Sequence, residues 1–134
     1  MSWDIHVQDI PASAQSPADI PDDFRPQPLG RRSDIIARIR EVLPHADFTD
    51  PSWGKIEGSD CSIEIGMGEN ELVQSFAFHV RGGDLAAFVV AGILQHLGFR
   101  AFDPCSDTGI FRPNAEAAEG LRKWRAYRDR TLRT

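Results

Sequence analysis

Two stretches of strict alternation constrain this chain more than anything else in it. Between Trp3 and Ile10, the side chains of Trp3, Ile5 and Val7 fall on one side, and those of Asp4, His6 and Gln8 on the other. Between Val73 and Arg81, Phe76, Phe78 and Val80 share one side while Ser75, Ala77, His79 and Arg81 share the other. Successive strand residues point to opposite faces, so each stretch predicts a half-buried strand with one apolar and one polar face. Sheets that are dry on one side and wet on the other are characteristically antiparallel.

The rest of the chain fits around these strands. Residues 11–30 hold Pro11, Pro17, Pro21, Pro26 and Pro28, then Gly30. Proline removes backbone donors and biases its predecessor away from helix, so an irregular segment is expected, with Phe24 and Leu29 pinning it to the body. Its length suits a lid, a partner contact or a plain connection. Ser33 is placed to cap a helix through Leu43, with Ile35, Ile36, Ile39, Val42 and Leu43 as its apolar stripe. A turn anchored by Trp53 leads to a short strand at Lys55–Glu57, and the Gly58–Asp60 loop leads to another at Cys61–Met67. After Gly82 and Gly83, Asp84 opens a helix to Leu97, with Leu85, Phe88, Val89, Ile93 and Leu97 expected to face inward. Gly98 stops it. Short strands at Phe99–Phe102 and Gly109–Arg112 follow, and then a helix from Asn114 with Ala117, Leu121, Trp124 and Leu132 toward the body.

The expected order is β-α-β-β-β-α-β-β-α. It predicts an α+β two-layer sandwich: a mostly antiparallel sheet of five or six strands, with three helices mainly on one face. A chain of 134 residues is read as a single domain over 1–134, because neither side of residue 30 would make a core alone. It is long enough to fold without a disulfide or metal staple. The 41% hydrophobic and 26% charged fractions are those of an ordinary globular protein.

No apolar run approaches the roughly 18 residues of a membrane span. The opening Met1-Ser-Trp-Asp has neither a basic region nor an apolar one, so a cytoplasmic location is expected. Two thiols, at Cys61 and Cys105, suit that compartment. Cys61 is expected to be buried and Cys105 exposed, with Asp103 and Asp107 raising its pKa. His6, His45, His79 and His96 show no metal-ligand spacing with each other or with cysteine, and no metal or cofactor is expected.

The net charge of −5 disfavours nucleic acid and favours a basic partner. Charge is also uneven along the chain. Residues 1–24 carry five aspartates and no Lys or Arg, whereas the end carries Arg122, Lys123, Arg125, Arg128, Arg130 and Arg133 against Asp129. Trp53 and Trp124 read as core anchors.

If the helices cover one face, chemistry belongs on the other. Strand parity puts Asp4, His6, Gln8, Ser62, Glu64, Ser75, His79 and Arg81 there. The leading expectation is a non-enzymatic protein-binding surface, using this face or the proline-rich segment, with His6, Glu64, His79, Arg81, Gly82 and Gly83 as binding residues. The alternative is a small hydrolase or transferase, in which Glu64 and His79 form an acid–base pair and Arg81 holds an anion. A third reading is an anion-binding module at Arg81–Gly83, where glycines let backbone N–H groups approach a ligand. It lacks a phosphate-loop motif, and Asp84 puts a negative charge in the way.

A set of ordered segments also carries a resemblance. These are Ser2-Trp3-Asp4-Ile5, Ile20-Pro21-Asp22-Asp23-Phe24, Asp50-Pro51-Ser52-Trp53-Gly54, Ser62-Ile63-Glu64, His79-Val80-Arg81-Gly82-Gly83 and Trp124-Arg125-Ala126-Tyr127-Arg128-Asp129. With these the whole chain resembles a family of small uncharacterised bacterial proteins. The resemblance implies a bacterial cytosolic origin and brings no assigned activity or site. In type, though without a shared motif, the chain is also similar to the small acidic α+β immunity proteins of bacterial toxin systems.

Overall fold

The computed structural model describes residues 2–58, 61–82 and 84–111. Its elements are β1 (Trp3–Gln8), a short 3-10 turn (Pro17–Asp19), β2 (Gly30–Arg31), α1 (Arg32–Val42), β3 (Trp53–Glu57), β4 (Cys61–Gly66), β5 (Leu72–Val73), β6 (Ser75–Gly82), α2 (Asp84–Leu97) and β7 (Arg100–Phe102). Five strands form an open antiparallel sheet in the order β3-β4-β6-β1-β7, and β2 pairs with β5 in a separate two-stranded ribbon. The class is α+β. Two helices lie among the described residues, and the helix expected from Asn114 falls outside them.

Alternation decides which face is dry. Trp3, Ile5, Val7, Ile63, Ile65, Phe76, Phe78 and Val80 are buried and join Ile35 and Ile39 of α1 and Val90, Ile93 and Leu94 of α2 in one core. Each fully buried side chain of this size contributes roughly 1.5–3 kcal/mol. The ion pairs of Arg31 and Arg32 with Glu71 are long, at 3.7 and 4.0 Å, with the Glu71 carboxylate exposed, and contribute at most about 1 kcal/mol each. Apolar burial therefore holds the helices to the sheet. No described helix is long and apolar enough to cross a membrane.

Several expectations need correction. The first strand ends at Gln8, not Ile10, and the third begins at Trp53, not Lys55. The run from Val73 is broken at Gln74, because Val73 pairs with Gly30 in the small ribbon while Ser75 enters the main sheet beside Gln8. That ribbon also draws the chain into α1 two residues early. Arg31 is the N-cap, and the Ser33 hydroxyl donates to Glu71 Oε1 at 2.5 Å instead of capping. The Glu71 carboxylate meets the helix N-terminus in its place, accepting from the Ser33 N–H at 3.3 Å.

In α2, Ile93 and Leu97 face inward as expected and Val89 packs against the core, but the first turns differ. Leu85 and Phe88 are 53% and 57% exposed, and Ala86, Ala87, Val90, Ala91, Ile93, Leu94 and Leu97 face inward. In the first turns the small Ala86 and Ala87 take the inward positions, and Leu85 and Phe88 are left outside. Of the strand expected at Gly109–Arg112, the described residues 109–111 show a single bridge, Phe102 to Ile110, and Arg112 lies outside them.

A second, smaller cluster of Ile10, Ala14 and Ile110, with Ile20 and Phe102 against it, fastens the proline-rich segment beside β7. Arg100 adds to this by donating to the Pro11 and Ala14 carbonyls. Ala14, Ile20 and Leu29 are therefore the anchors of the segment, and Phe24 is only half-buried. Gly109 closes this region at φ +83°, and a Cβ there would lie 2.9 Å from Pro17 Cδ. Gly109→Ala should cost about 1–3 kcal/mol through backbone strain and that clash, read as a lowered urea midpoint.

Candidate functional site

The other face of the sheet carries its polar residues in transverse rows set by register. Lys55, Glu64, His79 and Asp4 form one row across β3, β4, β6 and β1. On one side of it lie Glu57, Ser62 and Arg81. On the other lie Trp53, Gly66, Ala77, His6 and Phe102. Ser75, Gln8 and Arg100 follow. Of the residues expected at a site, His6, Glu64, His79 and Arg81 thus share this face. Gly82 ends β6 at φ +127°, and Gly83 lies outside the described residues.

His79 is the centre of the arrangement. It has a carboxylate on each flanking strand, Glu64 on β4 and Asp4 on β1, and it bonds to Asp4, Nδ1 to Oδ1 at 2.8 Å. The expected Glu64–His79 pair is side by side but not hydrogen-bonded. Two neighbours account for the choice. The Ser2 hydroxyl donates to Asp4 Oδ1 at 2.5 Å and fixes that carboxylate. On the opposite side the Trp53 indole stacks on the imidazole, with ring centroids 5.4 Å apart and planes 17° from parallel.

Burial pushes the Asp4 carboxyl up, but the Ser2 and His79 hydrogen bonds and the charge of His79 outweigh it and hold its pKa below the ordinary aspartate value. An ionised Asp4 only accepts, so Nδ1 of His79 donates to it. Whenever the ring carries a single proton, that proton sits on Nδ1 and Nε2 faces outward as an acceptor.

Trp53 was expected in the core and is 38% exposed. The signal was present in the chain. Trp53 has the parity of Lys55 and Glu57, whereas Gly54 and Ile56 are buried. Gly66 makes the stack possible, because a Cβ there would lie 3.1 Å from Trp53 Cζ3 and 3.6 Å from His79 Nε2. Beside the stack, an open depression of about 420 Å³ is lined by His6, Gln8, Gly66, Ser75, Ala77 and Phe102.

The edges of the sheet are partly occupied. Asp47 exchanges both backbone hydrogen bonds with Lys55 on the outside of β3, and the 109–111 chain bonds to Ala101 and Asp103 on the outside of β7. Such cover blunts strand addition. Beyond β7, Asp103 is buried and accepts from Trp3 Nε1 at 2.8 Å and from the Cys105 N–H at 3.0 Å. Cys61 is buried and Cys105 exposed, both as thiols. The Cys105 pKa is raised by partial burial and by Asp103 and Asp4. Asp4, distant in sequence, takes the part expected of Asp107. Among the described residues, no group of three His, Cys, Asp or Glu side chains could hold a metal ion. No family model, curated protein or solved structure matches this chain.

Proposed function

We propose that this protein is a non-enzymatic binding protein that recognises another protein through the face of its five-stranded sheet opposite α1 and α2. The observation that carries this reading is the Trp53–His79 stack: a half-exposed indole held on a sheet by a neighbouring glycine and steadied through Asp4. Partly exposed aromatic residues with fixed orientation are the common anchors of protein interfaces, because little side-chain entropy is lost on binding. Charged residues in rows around the stack supply a polar rim. The occupied sheet edges favour recognition by the face over strand addition.

The acidic balance favours a basic partner. In its finer form the reading is immunity-like: a bacterial cytoplasmic protein that occludes a basic toxin domain. The proline-rich segment, fastened beside β7, borders the same face.

The test is paired capture from bacterial lysate with wild type, Trp53→Ser, His79→Ala and the off-face variant Leu72→Ser. A partner retained by wild type and Leu72→Ser but lost with both face variants supports the reading. A partner that ignores the face variants, or the absence of any saturable partner, contradicts it.

A second reading rests on the Asp4–His79 pair. An imidazole that donates through Nδ1 to a carboxylate holds its Nε2 lone pair ready to accept a proton from water or a hydroxyl. In this enzyme reading Asp4 orients His79, and Glu64 and Arg81 supply charge nearby. Turnover of activated esters that disappears in His79→Ala would support it, and rates equal to buffer would remove it.

A further inference from the structure

The binding-face reading leaves one group unexplained, and that group defines the chemistry of the partner. Glu64 is half-buried in the middle of the sheet, yet among the described residues no hydrogen bond or ion pair reaches its carboxylate. Its cross-strand neighbours are engaged elsewhere. His79 is bonded to Asp4. Lys55 lies near enough to Asp47 and Asp50 to help hold their carboxyls below the ordinary range. Arg81 stands in the next row, exposed, opposite Ser62.

Resting on that reading, we infer that the face receives an arginine of a basic protein partner, with its guanidinium against the exposed flank of Trp53 and paired to Glu64. A partly desolvated carboxylate without a counter-ion gains most from a cation that arrives with donors in the right geometry. Trp53 stands diagonal to Glu64 on the adjacent strand, close enough for one planar cation to touch both. Indole is the strongest of the aromatic cation receptors. A guanidinium can stack on a ring and fork onto a carboxylate at the same time, whereas a compact ammonium cannot, so arginine is preferred to lysine. Charge agrees locally and overall. In the Glu64 row and the adjoining Arg81 row, Asp4, Glu57 and Glu64 outnumber Lys55 and Arg81, Arg100 lies two rows from Glu64 and is turned to the Pro11 and Ala14 carbonyls, and the chain as a whole carries −5. Lys55 and Arg81 are exposed and screened by water, so they oppose the incoming cation only weakly.

The test is an NMR titration of the ¹⁵N-labelled full chain with acetyl-Gly-Arg-Gly-amide and with its Lys and Glu counterparts. The arginine peptide should shift the Trp53 indole N–H and the backbone amides of Glu64 and Gly66. The lysine peptide should bind at least about threefold more weakly, and the glutamate peptide should cause no shift. Glu64→Gln, nearly isosteric and checked for native dispersion, should weaken the arginine peptide at least about fivefold. The control Asp22→Asn/Asp23→Asn, on the exposed loop, should change nothing. Equal shifts with arginine and lysine, an unaffected Glu64→Gln, or shifts confined to the 19–23 aspartates would overturn the inference. Partner capture that still depends on Trp53 would then leave the binding face standing, and capture indifferent to Trp53 would remove both.

Discussion

Trp3→Ala should lower the unfolding free energy by about 3–5 kcal/mol, a large share of the total for a domain of this size. Trp3 is fully buried, packs near Phe111 with ring centroids 5.9 Å apart, and donates its indole N–H to Asp103, which is 2% exposed. Two contributions separate by substitution. Trp3→Phe keeps most of the packing but takes one donor from a buried carboxylate, at about 1–3 kcal/mol. Asp103→Asn keeps an acceptor in the same place without a charge.

Burial raises the Asp103 pKa above its ordinary value, against the pull of the Trp3 and Cys105 hydrogen bonds. The folded state therefore binds the proton more tightly than the unfolded chain does. Its contribution to stability is full below the unfolded value of 3.8 and declines as pH rises through the folded one. Asp103→Asn should accordingly match or exceed wild type in urea midpoint at pH 7, with the difference closing as pH falls below 3.8. Asp103→Ala, which leaves the indole N–H unpaired, should fall below wild type across that range.

Gly66→Val should produce the opposite combination, an intact fold with lost recognition. Glycine in a strand interior costs roughly 0.5–1 kcal/mol relative to residues with a side chain, and valine favours strands, so stability should hold or rise. A Cβ at Gly66 already approaches Trp53 Cζ3 to 3.1 Å, and the valine methyl groups would wedge between the indole and the imidazole. Displacing an interface anchor typically costs about 2 kcal/mol or more, so partner binding should fall about thirtyfold or further. Unchanged affinity in a folded Gly66→Val protein would mean that the stack takes no part in recognition.

The polar face was legible in the chain because period-2 alternation survives any strand order. Asp4, His6, His79 and Arg81 were assigned to it from parity alone, and register then set them in adjacent rows. The partner of His79 was not legible. With β6 between β4 and β1, Glu64 and Asp4 both lie beside it, and the choice falls to Ser2 and Trp53, which act from opposite sides of His79. The inward face of α2 was read correctly at Ile93 and Leu97 but rotated too far toward Leu85 and Phe88 in the first turns. The small Ala86 and Ala87 take the inward positions there, and Leu85 and Phe88 are left outside. Trp53 was assigned by residue type, although its parity with Lys55 and Glu57 pointed to the polar face.

Side-chain footprinting of the full chain, alone and with its captured partner, tests the proposed recognition surface most directly. Protection should centre on Trp53, His79 and His6, with Leu85 and Phe88 on α2 as reactive in the complex as in the free protein. Protection confined to Leu85 and Phe88, with Trp53 still fully reactive, would place recognition on the helical side and contradict the account.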